Sequence, residues 1–466
     1  MRQIVEELEY RQDPMDILSS FADSPYSFFL DSSFNYKNLG RFSFLSCDPF
    51  LVFKSKRDAI RLEWDDGRIE NFNSNPFAAL RNIFKRYSFL SGNNKDIPFT
   101  SGGVGYFSYD LKDFVEELPS LATDDLKAPD SIFAFYDCVI VYDNLKKRSY
   151  IVGSGKAGEA RLEKLKYKIS AYGSRRRGLF NVQPPRLKSN FSKEAYMEAV
   201  RRAKLYIRKG DIYQVNLSQR FETALDMEPL ELYSRLRTFS PAPFASYLDF
   251  KDVVILSSSP ERFLLKRGDY IETRPIKGTR PRGQDIFSDL ALEKELLESK
   301  KDRAEHIMIV DLERNDLGRI CKYESIEPSE LIGIERYSNV FHLVSTVGGR
   351  LKKNIDTITC LLAAFPGGSI TGAPKIRAME IIEELEGLKR SIYTGAIGYI
   401  SFDGNMDTSI AIRTILIKDK KIYFSVGGGI VADSDPEEEY AETLHKARGL
   451  MEALGVNENS KELITA

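Results

Sequence analysis

Four cysteines in 466 residues, with no CxxC pair among them, leave no basis for a zinc ribbon or a disulfide framework. Cys47, Cys138, Cys321 and Cys360 read as reduced cytosolic thiols. No uncharged apolar run reaches the roughly 18 residues of a membrane-spanning helix, and the opening MRQIVEELEYRQDP lacks the apolar core of a signal peptide. The expectation is a cytoplasmic protein, neither exported nor anchored in a membrane. Neither sign of charge dominates: 67 Lys and Arg against 68 Asp and Glu give a net charge of −1, which argues against a nucleic-acid binder relying on a basic surface. Repeats with a period of roughly 20 to 50 residues are missing too, which excludes solenoids. What is present is an ordinary globular composition, 42% hydrophobic and 29% charged, that folds throughout as two or three domains or one large intertwined unit.

Alternating runs such as LVFKSKRDAIRLEW (51–64) and SIFAFYDCVIVYDN (131–144), with turns at Asp66-Gly67 and Asp143-Asn144, predict antiparallel strands from Pro49 to about residue 180. The stretch GSRRRGLFNVQPPRLKSN (173–190) has no apolar period. It predicts a boundary between an N-terminal domain, 1–180, and a second domain, 190–460. Ser192 as N-cap, with Tyr196, Val200, Ala203 and Ile207 at helical spacing, predicts a helix ending at Gly210. One long helical pattern runs from about Asp285 to Val310. Near the end, residues 396–402, 407–417 and 421–426 predict an antiparallel meander closed by a helix after Pro436.

Two glycine-rich motifs point away from nucleotides. Gly153-Ser-Gly155-Lys-Ala-Gly158 matches GxGxxG, yet the region about 20 residues on offers Gly173-Ser-Arg-Arg-Arg instead of an acidic residue for a ribose. A plain strand-to-helix turn fits better. In Phe365-Pro-Gly-Gly-Ser-Ile-Thr-Gly-Ala-Pro-Lys375, Ala373 and Pro374 stand where a phosphate loop needs Lys and Ser or Thr, so no ATP site is expected.

The chemistry-bearing residues lie in the second half. Asp302 with Glu305, and Glu439 with Glu442, are acidic pairs at i,i+3 on predicted helices, each presenting its carboxylates to one side. A solvated face explains either pair alone; a face abutting a cleft would hold a hard cation, and oxygen-only ligands suit Mg²⁺. Gly427, Gly428 and Gly429 end a strand, where bare backbone N–H groups can bind a carboxylate or simply form a turn or bulge. Arg413 sits within the apolar TSIAIRTILI and needs an anionic partner, structural or otherwise. Lys277 and Glu261 fall at strand ends beside prolines, where loops line clefts, although surface salt bridges explain them equally well.

Taken together these segments resemble the chorismate-utilising family that includes the component I subunits of anthranilate synthase and aminodeoxychorismate synthase. The resemblance rests on GDIYQVNLSQRF (210–221), SSSPERF (257–263), TRPIKGTRPRG (273–283), KDRAEHIMIVDLERNDLGRIC (301–321), FHLVSTVGG (341–349), PGGSITGAPKIRAMEIIEELE (366–386), YTGAIGYI (393–400), DTSIAIRT (407–414) and GGGIVADSDPEEEYAETLHKA (427–447). More loosely, FFLDS (28–32), RFSFLSCDPF (41–50) and GGVGYFSYD (102–110) resemble the companion domain, where a tryptophan-type site is a possibility. The resemblance implies an α+β fold of large antiparallel sheets packed as a sandwich, helices outside, with the active site in a cleft of the C-terminal part. It implies Glu305 and Glu442 as Mg²⁺ ligands, with Asp302 and Glu439 behind bridging water. It further implies that Gly427 to Gly429 hold the ring carboxylate of chorismate and that Tyr393 and Arg413 hold the enolpyruvyl carboxylate. Glu261 becomes the general acid or base at the departing ring hydroxyl; His342, Ser369 and Thr371 line the pocket.

Within that family, position 277 separates branches. The anthranilate branch resembles PIAGT, and the aminodeoxychorismate branch carries Lys, as in this PIKGT. A lysine amine with its pKa lowered can form a covalent adduct with the ring. Water-adding relatives resemble a lysine at the place of Gln214, and glutamine cannot activate water, so ammonia is the expected nucleophile. No Cys sits in a nucleophile elbow, so ammonia must come from a separate glutamine amidotransferase subunit or from solution. The sequence therefore predicts Mg²⁺-dependent amination of chorismate to 4-amino-4-deoxychorismate. The alternatives are anthranilate formation and a silent paralogue acting as a binding subunit; the loss of a metal carboxylate or of Arg413 that would mark the latter is absent.

Overall fold

The structure, a computed structural model, describes residues 3–8, 13–33, 39–92, 96–171, 183–337, 340–457 and 463–465. Much of the predicted boundary at 173–190 lies outside these residues. Two sheets, of 13 and 12 strands among the described residues, carry the fold. Phe28, Phe44, Val141, Leu248 and Ile255 of the first sheet pack in one core with Val52, Tyr106, Ile132, Ala134 and Tyr399 of the second. This is a sandwich, because strands with apolar residues on one face must bury that face against another layer. Helices cover both outer surfaces: Pro76–Arg86, Lys300–Gly318 and Thr357–Ala364 lie against one sheet, and Gly155–Ala171, Pro229–Phe239 and Pro436–Ala453 against the other.

Segments on either side of residue 180 share both sheets. Phe28–Asp31 pairs with Phe244–Asp249, placing Phe29 opposite Tyr247, and Gly102–Phe107 pairs with Ala396–Ser401, placing Tyr106 opposite Ile397.

Local signals in the sequence are realised where they rest on turns and caps. Gly67 takes φ +85° between the strands Ala59–Trp64 and Ile69–Asn73. Ser192 accepts the Ala195 N–H at 3.2 Å, and Gly210 at φ 82° closes the helix Lys193–Lys209. The GxGxxG stretch is a strand-to-helix turn: a Cβ at Gly158 would approach the Asp137 carbonyl oxygen to 2.6 Å, so glycine serves close packing of helix on strand.

Two expectations are corrected. The long pattern from Asp285 to Val310 is two helices, Ile286–Glu298 and Lys300–Gly318, because Ser299 turns extended and caps the second by accepting the Asp302 N–H at 3.2 Å. The predicted strand 407–417 is also two. Met406–Ile410 belongs to the 12-stranded sheet and Thr414–Lys418 to the 13-stranded one, with Arg413 at φ 49° where the chain crosses. Two hairpins in different sheets therefore replace the meander, since apolar alternation looks the same in either layer.

Candidate active site

The glycine strand forms one wall. Gly427, Gly428 and Gly429 lie in a regular ladder opposite Ser218, Leu217 and Asn216, neither in a turn nor in a bulge. On this side the glycine strand pairs with Thr414–Lys418 through residues 421–424 alone, so among the described residues no strand neighbours this edge beyond Phe424; Lys446 takes the Gly427 carbonyl there at 2.9 Å. Side chains are excluded by what stands opposite. A Cβ at Gly428 would meet Glu439 Oε2 at 3.0 Å and Glu442 Oε1 at 3.4 Å, and one at Gly429 would collide with the Gln214 amide and lie 3.4 Å from Lys277 Nζ.

Carboxylates converge on that wall. Glu439, in the first turn of Pro436–Ala453, is buried; one oxygen accepts the Ser434 hydroxyl at 2.6 Å and the other has no partner among the described residues. Glu442, half open to the cleft, pairs with Lys446 at 2.6 Å. Glu305 comes from the other helix. Burial raises its pKa; Lys277 and Lys301 oppose the rise, while Asp302 and Glu442 add to it. Glu439 is likewise raised by burial, Ser434 opposing and Glu442 adding. Asp302 is drawn aside to Arg280 at 3.1 Å. Among the described residues, no three acidic, His or Cys side chains are gathered into a ready ion cage. The chemistry nevertheless suits a hard divalent cation: oxygen donors only, mutually repelling carboxylates, and one buried oxygen without a partner.

Beside the acids stand Glu261 and Lys277. Glu261, 5% exposed, has its carboxyl pushed up to about 7 by burial, against the Ser369 hydrogen bond, Lys277 and the Ile276 N–H. Lys277 is held below the usual ammonium range by burial, reinforced by Lys446 and opposed by Glu305, Glu261 and Glu442. Its Nζ donates to the Ser369 carbonyl at 3.3 Å. A carboxyl with a folded pKa above its ordinary value stabilises the fold below about pH 4.5, and that contribution is lost as pH rises towards 7. Glu261→Gln should therefore gain about 1 to 3 kcal/mol on the wild type between pH 4 and pH 8. Urea unfolding at the two pH values measures it; an unchanged difference would show that Glu261 is not held protonated by burial.

The remaining candidates line the same space. Arg413, its backbone carbonyl accepting the Ser258 N–H at 3.0 Å, has no ion pair among the described residues, so the partner expected from the sequence is not part of this chain's described structure. Burial lowers its pKa, with Tyr337 and Glu261 opposing. His342 shares a 2.9 Å hydrogen bond between Nδ1 and Thr279, has no partner for Nε2 among the described residues, and is pushed down to about 3 by burial and then by Arg413, so it is neutral. Gln214 is fully buried, and neither amide atom has a hydrogen-bond partner among the described residues. Buried polar atoms are normally satisfied, so this concentration marks room for a polar ligand or water. Tyr393 is buried beside Arg390, which Glu386 binds at 2.8 and 2.7 Å. Thr371 turns its hydroxyl onto the Gly367 carbonyl at 3.0 Å, holding its own loop.

Sequence reasoning passed over Lys446 and the Arg390–Glu386 pair. The first was legible as i,i+4 from Glu442 on a predicted helix. The second is also i,i+4 but crosses the helix end at Gly387, and only the fold shows that it reaches the Asn216 and Ile370 carbonyls.

A family described as chorismate binding enzyme matches residues 48–452. The chain belongs to this family. It spans both segments of the predicted division and nearly the whole of its relatives. The chorismate-binding chain is 38% identical over 466 residues, 95% of its length and 93% of the other's, to the anthranilate synthase component 1 of Acetivibrio thermocellus. It is 37% identical over 437 residues, 91% of both chains, to the aminodeoxychorismate synthase component 1 of Bacillus subtilis. The crystal structure of anthranilate synthase component I from Streptococcus pneumoniae superposes with a TM-score of 0.79 at 31% identity, covering 90% of this chain and 94% of that one. This member of the family is thus an enzyme acting on chorismate. No helix among the described residues is long and apolar enough to cross a membrane. A separate cavity of about 100 Å³ lies between the sheets, lined by Leu30, Asp31 and Ser32 of FFLDS together with Arg41, Phe244 and Tyr399.

Proposed function

We propose that this chorismate-utilising enzyme is the component I subunit of an aminodeoxychorismate synthase, making 4-amino-4-deoxychorismate from chorismate and ammonia for p-aminobenzoate and folate synthesis. The observation that carries the reading is a lysine amine, lowered in pKa by burial, placed with a carboxyl that is half protonated near neutral pH. Lys277 as free amine attacks ring C2; the C4–O bond breaks and Glu261 delivers the proton that lets the hydroxyl leave as water. Ammonia then bonds to C4 and the C2–Nζ bond breaks, returning the amine. Arg413, with no ion pair among the described residues, suits the enolpyruvyl carboxylate through a bidentate fork, beside Tyr393. The open edge at Gly427 to Gly429 suits the ring carboxylate. Mg²⁺, on Glu305 and Glu442 with Glu439 and Asp302 behind water, would neutralise that carboxylate.

Anthranilate formation is the second reading, favoured by the relatives of that name at 38% identity. Incubation with chorismate, Mg²⁺ and ammonium, with product identification with and without the lyase that makes p-aminobenzoate, decides between them. Anthranilate as the main product refutes the first reading, and no turnover of either kind would point to a silent binding subunit.

Nothing in the sequence supplies a glutaminase, so glutamine should support turnover only after a glutamine amidotransferase subunit is added. High ammonium at raised pH should suffice alone, because ammonia and not ammonium has the lone pair. Glutamine-dependent product from the pure chain would contradict this.

A further inference from the structure

The loop Pro366 to Pro374 carries two contacts to the reacting pair: the Ser369 hydroxyl on Glu261 and the Ser369 carbonyl on Lys277. It pairs with the sheet through the two-residue strand Gly372–Ala373 against Gln214 and Val215, and the Thr371 carbonyl accepts the Asn216 N–H at 2.8 Å. From behind, the helix Lys300–Gly318 grips it at two points. Glu313, 2% exposed, accepts the Gly368 N–H at 3.1 Å. One turn on, Asp316 binds Lys375 at 2.5 Å, and Lys375 also donates to the Ala364 carbonyl at 3.1 Å. The approach at Gly368 is close: a Cβ there would lie 2.6 Å from Leu312 Cδ2 and 3.2 Å from Glu313 Oε1. Glu313 Oε2 is buried and has no partner among the described residues. A buried carboxyl that uses one oxygen for one backbone N–H is a costly way to supply an acceptor if stability is all that is served.

We propose that Glu313 is a positioning residue, which by fixing the Gly368 N–H sets Ser369 against both Glu261 and Lys277. This rests on the roles proposed above for those two groups. The same helix carries Asp302 and Glu305 nearer its start, so one rigid rod aligns the acidic wall with the loop. Glu313 is faced by Asp316 on its own helix, Lys375 on the helix after the loop and Glu261 at the strand end. Burial raises the pKa of its carboxyl, with Asp316 adding and Lys375 opposing.

Chorismate consumption, which does not depend on which product forms, is the readout. Glu313→Ala should lower kcat about 10- to 100-fold, the scale of a misplaced catalytic group. KM for chorismate should stay within about threefold. The apparent pKa of the Glu261 limb should rise in this variant, as it should in Ser369→Ala, because Glu261 loses the hydroxyl that favours its ionised form. Glu313→Gln keeps an acceptor oxygen in place and should return kcat to within about threefold of the wild type. Wild-type kcat and pH profile in Glu313→Ala, or Glu313→Gln as slow as Glu313→Ala, overturns the proposal. Should Glu313→Ala fail to fold, Glu313→Asp, which withdraws the carboxyl by one methylene, decides in the same way. Undiminished turnover in Glu261→Gln would instead overturn the reading of the site itself.

Discussion

Lys277→Ala should lose 4-amino-4-deoxychorismate formation by at least about 10³-fold, roughly 4 kcal/mol of transition-state stabilisation, in a chain that still folds. The fold should tolerate the change because Lys277 is a cation whose burial already disfavours its charge. The rate should not, because among the described residues no other amine donates to the Ser369 carbonyl beside Glu261. With the amine gone, ammonia can reach C2, the carbon the lysine had occupied, so a small amount of ortho product is the expected residue of activity. Trapping a chorismate-derived mass on the Lys277 peptide of the wild type would establish the covalent step. An electrostatic role, in which the ammonium only steadies the departing oxygen, predicts no such adduct, and unchanged para product from Lys277→Ala would sink the covalent role outright.

Glu305→Gln and Glu442→Gln should each abolish turnover at ordinary Mg²⁺ concentrations, and chelation should do the same to the wild type. Both side chains reach one cleft from different helices: Glu442 adds to the raised pKa that burial gives Glu305, while Lys446, followed by Lys277 and Lys301, holds Glu442 below its ordinary value. Replacing one carboxylate by an amide removes a hard anionic donor without changing shape, so lost activity with an unchanged Tm would belong to the ion and not to packing. A divalent cation should also raise the Tm of the wild type and not of the double variant, since a ligand that binds only the folded state stabilises it. Near-full activity in both variants with the metal chelated would remove the metal from this mechanism.

Features that depend on near neighbours in the chain were legible in the residues alone. Ser192 and Gly210 bracket a helix because a cap needs only a side chain three residues from its partner and a residue free to take positive φ. Glu439 and Glu442 share a side because 3.6 residues complete a turn, and the succession of nine segments was enough to indicate the family. What distance in sequence hides, only the tertiary structure decided. The break at Arg413 sends two apolar hairpins into different sheets, a choice that alternation cannot express because either layer would accept the same face. The division at residue 180 yields two segments that share both sheets, since strand pairing is settled by neighbours more than 200 residues away, as with Phe29 and Tyr247. Likewise, Glu313 reads in the sequence as one more charge in DLERNDLGR. Its burial against Gly368, 55 residues on, follows from how the helix packs beneath the loop, and packing is a property of surfaces that the chain brings together only once it has folded.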